Sequence, residues 1–72
     1  MSLARLVVRA TSESIARRAQ LVFIDHALAT WVRRPRWWRR KWTVIGVGTA
    51  EQKSKALVAL TRELWPTFRP VP

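Results

Sequence analysis

The segment from Arg33 to Trp42 constrains this chain more than any other part of the sequence. It places six cations and three tryptophans around one proline, in the order Arg33, Arg34, Pro35, Arg36, Trp37, Trp38, Arg39, Arg40, Lys41 and Trp42. Adjacent like charges repel one another, and a proline moves the residue before it away from helical angles. We therefore expect a helix to end before Pro35, and we expect an anionic partner to neutralise the segment.

The composition indicates one small folded unit, residues 1–72, of strongly basic character. A hydrophobic fraction of 49% is that of a folded protein, and 14 Lys and Arg residues outnumber four acids to give a formal charge of +10. This charge favours nucleic acid, anionic lipid or an acidic protein surface as the partner. The chain has no cysteine, so it can form neither disulfides nor thiolate zinc sites.

Residues 1–20 have the composition of a mitochondrial targeting segment, rich in arginine and serine and poor in acids. Apolar residues recur there at helical spacing, at Leu3, Leu6, Val7 and Ala10. A basic amphipathic surface helix has the same composition, and we weigh the two interpretations equally. Both predict an amphipathic helix at the N-terminus.

The next segment predicts a helix over about 12–33, capped by Thr11 or Ser12 and ended by Pro35. Its second half is apolar nearly all round, which predicts burial on every side by protein contacts. Asp25 and His26 interrupt this apolar run, and its length is below that of a bilayer-spanning helix, so no transmembrane segment is expected.

A second helix is predicted over 50–64, because Thr49 and Gln52 form a capping-box pattern before a regular apolar stripe. The residues of the basic and aromatic connector, 34–48, are expected to run extended, with a short strand or extended run from Thr43 to Gly48. The proline-rich tail, 66–72, is expected to be extended in polyproline fashion. The predicted fold class is therefore mostly α, a non-autonomous unit that folds within a larger assembly.

The sequence offers little for catalysis. The four acids are spread over different segments, whereas general acid–base chemistry needs groups that converge on one site. The Gly46-Val47-Gly48 run lacks the third glycine of a dinucleotide fingerprint, since Glu51 stands in that position. We expect no enzyme activity, no cofactor, no metal site and no small-molecule substrate.

Two sets of residues are candidates for binding. The RNA- or anion-binding set is Arg33, Arg34, Arg36, Trp37, Trp38, Arg39, Arg40, Lys41 and Trp42. The protein-contact set is Leu21, Ile24, Leu28, Trp31, Leu57, Leu60 and Leu64. Arginine suits bidentate phosphate contacts, and indoles stack on unpaired bases or lie at lipid headgroups.

These features favour a small structural protein of a mitochondrial ribosome, which binds rRNA through the Arg/Trp segment and packs against neighbouring ribosomal proteins. The alternative is a peripheral accessory subunit of a respiratory complex or ATP synthase that contacts cardiolipin. A free cationic membrane-active peptide is a third interpretation, which the capped second helix disfavours. The first two predict a location in the mitochondrial matrix or on the matrix face of the inner membrane.

Overall fold

The computed structural model describes residues 3–36 and 40–71, which fold into one four-stranded sheet and two helices. The elements are β1 (Ala4–Ala10), α1 (Glu13–Asp25), β2 (Ala29–Arg33), β3 (Trp42–Gly48), α2 (Ala50–Leu64) and β4 (Phe68–Val71). All neighbouring strands are antiparallel, in the order β2-β3-β1-β4. This is the topology of two interleaved β-α-β units, the split β-α-β or ferredoxin-like arrangement. The predicted mostly α fold is wrong, because this is a small α+β fold.

Strand β1 replaces the predicted N-terminal helix. Leu6, Val8 and Ala10 are buried, whereas Arg5 and Arg9, which alternate with them, are exposed. Successive side chains of a strand point to opposite faces, so this period of two matches a strand that is buried on one face. The prediction of a helix here is wrong because β1 pairs with both β3 and β4 in the middle of the sheet.

Helix α1 begins where it was predicted but ends eight residues early. The Ser12 side chain caps it by accepting a hydrogen bond from the Ile15 amide at 3.3 Å. At the other end Ala27 takes a left-handed φ of 60°, and the Leu28 amide donates to the Phe23 carbonyl at 2.9 Å. The Ala27 amide also donates to the Ile24 carbonyl at 2.9 Å, and the two bonds form a Schellman-type cap, which turns the chain back into β2. The prediction of helix through Arg33 is therefore wrong.

Helix α2 occupies Ala50–Leu64, so the second predicted helix is confirmed. Its capping box is complete: the Thr49 amide donates to Oε1 of Gln52 at 2.7 Å, and the Gln52 amide donates to Oγ1 of Thr49 at 3.2 Å. Two orphan amide donors at the helix start are thereby satisfied.

The predicted connector and tail both contribute strands. The second half of the connector is β3, which lies between β2 and β1, and the tail supplies the edge strand β4. Gly46 and Gly48 both lie within β3, and neither has a positive φ. A Cβ on Gly46 would lie 2.8 Å from Cδ2 of Phe23, which means that glycine is required for α1 to approach the sheet.

Both helices pack on the same face of the sheet and form the core with it. The buried residues of this core are Leu6, Val8, Ala10, Ala16, Ala19, Val22, Phe23, Leu28, Val44, Ala56, Leu60, Leu64 and Phe68. The sequence predicted that neighbouring proteins would bury the apolar sides of the helices. In the structure, the sheet of the same chain buries most of them. Within residues 3–36 and 40–71, neither helix is both long and apolar enough to cross a bilayer.

Candidate nucleic-acid interface

The face of the sheet that points away from the helices forms a separate surface, here called the open face. Residues paired in register lie on the same side of a sheet, so the pairing assigns each side chain to a face. The open face consists of Arg5, Val7, Arg9, Ala29, Trp31, Arg33, Thr43, Ile45, Val47, Arg69 and Val71. Its members alternate along every strand with residues that face the helices.

Two rows of side chains cross the open face side by side. The apolar row runs Trp31, Ile45, Val7, Val71 across the four strands. The basic row runs Arg33, Thr43, Arg9, Arg69, two residues further along each strand axis. Neighbouring strands lie about 4.8 Å apart, so the basic row spans roughly 14 Å. Its three arginines are exposed to solvent.

The described residues between β2 and β3, which are 34–36, 40 and 41, extend the basic row beyond the end of the sheet. Three shallow depressions meet there, and Lys41 lines all of them. We call their cationic lining the basic surface: Arg9, Arg33, Arg34, Arg36, Arg40, Lys41 and Arg69. Cations from both edge strands, from a central strand and from the loop therefore converge on one end of the molecule.

The acids lie elsewhere. All four carboxylate side chains of the chain belong to the helices, and two of them form exposed i,i+4 pairs, Glu13 with Arg17 at 3.5 Å and Glu51 with Lys55 at 3.1 Å. The helices carry five cations against these four acids, whereas the strands and the described residues of the loop carry eight cations and no acid. The positive potential is thus concentrated on the sheet side of the molecule.

Five of the residues predicted to bind anions lie on the basic surface: Arg33, Arg34, Arg36, Arg40 and Lys41. Trp37, Trp38 and Arg39 lie outside the described residues. Trp42 lies on the helix side of β3, half-buried against the core, and so does not share a face with the basic row.

The residues predicted to contact other proteins are divided among three environments. Leu28, Leu60 and Leu64 are buried in the chain's own core, and Leu57 packs partly against it. Leu21 and Ile24 are exposed on the outer side of α1, and Trp31 is exposed on the open face. Leu21, Ile24 and Trp31 are therefore the members of this set that expose a large part of their surface to a partner.

Sequence reasoning missed Arg9, Thr43 and Arg69 as members of the site. The signal for Arg9 is the alternation of Arg5, Val7 and Arg9 with buried residues, which indicates a strand with one basic face. Arg69 carries no comparable local signal, because its register opposite Arg9 depends on the pairing of β4 with β1.

The single histidine of the chain lies at the end of α1. Nδ1 of His26 lies 2.9 Å from the Val22 carbonyl oxygen and donates to it, which fixes the ring at the end of α1. Among the described residues, no three His, Cys, Asp or Glu side chains come together in a way that could hold a metal ion.

No protein-family model matches the chain, and neither a curated protein nor a solved structure is significantly similar to it.

Proposed function

We propose that this chain is a structural RNA-binding protein that holds RNA phosphates against the basic surface within a larger ribonucleoprotein. A ribosomal RNA is the candidate partner that the sequence favours, and a ribosome is the corresponding assembly. The mitochondrial location rests on the composition of residues 1–20 alone, and strand β1 accounts for part of that composition. RNA binding is the part of the proposal that the geometry supports best.

The observation that carries the proposal is the basic row and its continuation into the loop. Arg9 and Arg69 are directly opposite in register, and like charges in that position destabilise a sheet unless something neutralises them. Arginine is the side chain best suited to bidentate contacts with phosphate, and phosphate contacts release condensed counterions from a nucleic acid. A polyanion laid along the basic row would neutralise the repulsion between Arg9 and Arg69 and would supply phosphates for their guanidinium groups.

An anionic membrane is the second candidate, because exposed indoles accompany the cations. Trp65 is 53% exposed, but it lies at the end of α2 and packs edge-on against Phe68 with ring centroids 5.7 Å apart. Helices that lie in a membrane interface insert an apolar face beside their cations. Here most apolar side chains of both helices are buried against the sheet, and the exposed ones, Leu21, Ile24 and Val58, lie on the helices, whereas the basic surface belongs to the strands and the loop. RNA therefore fits this fold better than lipid.

The test measures binding of labelled RNA by the purified chain over a series of salt concentrations. We expect a slope of about −4 for log affinity against log salt, as for five or six phosphate contacts with a single strand. Vesicles containing cardiolipin should bind more weakly than RNA at the same salt. Tight vesicle binding without RNA binding would contradict the proposal.

A matched pair of double variants locates the contact. Arg9→Gln with Arg69→Gln removes two charges from the basic row and should reduce the slope by about 1.4. Arg18→Gln with Arg62→Gln removes two exposed charges from the helices, leaves both ion pairs intact, and should change the slope much less. Equal losses in the two double variants would mean that net charge, rather than the basic surface, attracts the RNA.

A further inference from the structure

We infer that the RNA on the open face is single-stranded and that one of its unpaired bases stacks on the indole of Trp31. This inference rests on the proposed function and adds to it the class of RNA and the residue that receives a base. It follows from the position of Trp31 relative to the two rows of the open face.

Trp31 is exposed where the fold does not require a tryptophan. It lies on the edge strand β2, faces away from the helices, and leaves 44% of its surface in water. Its cross-strand neighbour Ile45 lies outside the helix-side core and yet is only 6% exposed. The middle of the apolar row is therefore shielded from water, whereas Trp31 at its end is not. The indole is thus a large apolar group at the accessible end of an apolar row.

The basic row adjoins this indole. Arg33 follows Trp31 by two residues on the same strand and the same face, a separation of about 7 Å along the strand. A ring that can take a base therefore lies beside a guanidinium that can take a phosphate. Proteins that bind single strands combine these two elements, a basic groove for the backbone and aromatic rings for the bases.

The position of Trp31 also discriminates against duplex RNA. In a duplex the bases are paired and stacked on one another, and proteins contact mainly phosphates and 2′-hydroxyls. An exposed indole in the apolar row would then meet no base face. A single strand can place a base on Trp31 while its phosphates follow the row toward Arg69, so the charge pattern and the apolar row favour the same ligand.

The test compares three proteins on two RNAs, an unstructured uridine-rich 12-mer and a 12-base-pair RNA duplex. Trp31→Leu keeps an apolar side chain but removes the aromatic face, and it should weaken single-strand binding by about 5–150-fold, the usual contribution of one stacked base. Trp31→Phe keeps a ring and should retain most of the affinity. Duplex binding, which depends on the cations, should be the same in all three proteins.

Cross-linking of the unaltered chain provides a second measurement that does not depend on how the variants fold. A 12-mer that carries 4-thiouridine should form its main photo-cross-link with Trp31. Cross-links to aromatic residues of the helix side alone would overturn the inference.

The outcomes separate this inference from the proposed function. If Trp31→Leu binds the single strand as tightly as the unaltered chain while the Arg9 and Arg69 variant binds less tightly, the stacking inference is wrong and RNA binding stands. Equal losses on both RNAs, or a preference of the unaltered chain for duplex, would also overturn it. Absence of binding to either RNA would contradict the proposed function itself.

Discussion

The two faces of the sheet are built from the same four strands but differ in chemistry: one is apolar and buried, and the other is basic and open to solvent. Along β1, Leu6 and Val8 point into the core, whereas Arg5 and Arg9 point to solvent on the other face. The core face follows the rule that apolar side chains are buried together, and folding alone explains it. Folding does not explain why Arg9 and Arg69, which repel each other, lie opposite in register on the open face. The comparison therefore suggests that one face specifies the structure and the other specifies the partner.

The largest effect that distinguishes the faces is expected at Gly46. Gly46→Ala places a methyl group against Phe23 on the helix side and should lower the free energy of unfolding by about 1–3 kcal/mol, the usual result of overpacking. RNA affinity measured on the folded protein should not change, because the substitution does not touch the open face.

The control for Gly46→Ala is its neighbour Val47, which belongs to the open face. Val47→Ala should cost less than about 1 kcal/mol in urea or thermal denaturation, since it leaves the core intact. If Val47→Ala destabilises the chain as much as Gly46→Ala does, the open face contributes to the core and the division between the faces fails.

A smaller effect, of opposite sign, is expected at the end of α1. Ala27 holds a left-handed φ of 60°, a conformation that favours glycine. Ala27→Gly should raise the free energy of unfolding by about 0.5–1 kcal/mol in chemical denaturation and leave RNA affinity unchanged. Ala29→Gly, at the start of β2, should instead lower stability by a similar amount, because glycine weakens a strand. A loss of stability in both variants would mean that the cap is not strained.

Ala27 also explains why part of the fold could not be predicted from the sequence. Helix α2 was predictable because its capping box and apolar stripe are local signals. The end of α1 was not, since an alanine occupies the position where glycine usually marks a helix end, and Leu28 continues the apolar run. Pattern alone therefore extended the helix through residues that form β2.

Strands β1 and β4 escaped prediction because their pairing is not local. Residues 4–10 fit both a helical and an alternating pattern, and only the strands on either side decide between them. Pro70 disfavours an interior strand but is tolerated at the edge position that β4 occupies. For the same reason the loop cations of the site could be predicted from their adjacency in sequence, whereas Arg9 and Arg69 could not.

The smallest predicted effect tests the comparison most directly, because it sets stability against binding at one residue. Arg69 lies opposite Arg9 on the open face, and a like-charge pair in register costs about 0.2–1 kcal/mol. Arg69→Gln should therefore raise the free energy of unfolding slightly at low salt and by less at high salt, where the repulsion is screened. The same substitution should weaken RNA binding and reduce its salt slope by about 0.7.

Arg62→Gln is the matched control, because Arg62 is an exposed arginine of α2 on the other side of the molecule. Arg62→Gln should not raise the free energy of unfolding, because Arg62 lies in the last turn of α2, where a cation interacts favourably with the helix dipole. It should also change the salt slope much less than Arg69→Gln does. If the basic row serves RNA binding, Arg69→Gln must both raise the free energy of unfolding and weaken RNA binding. If Arg69→Gln lowers stability and leaves RNA affinity intact, Arg69 supports the fold, and the open face would have to be regarded as an ordinary solvated surface.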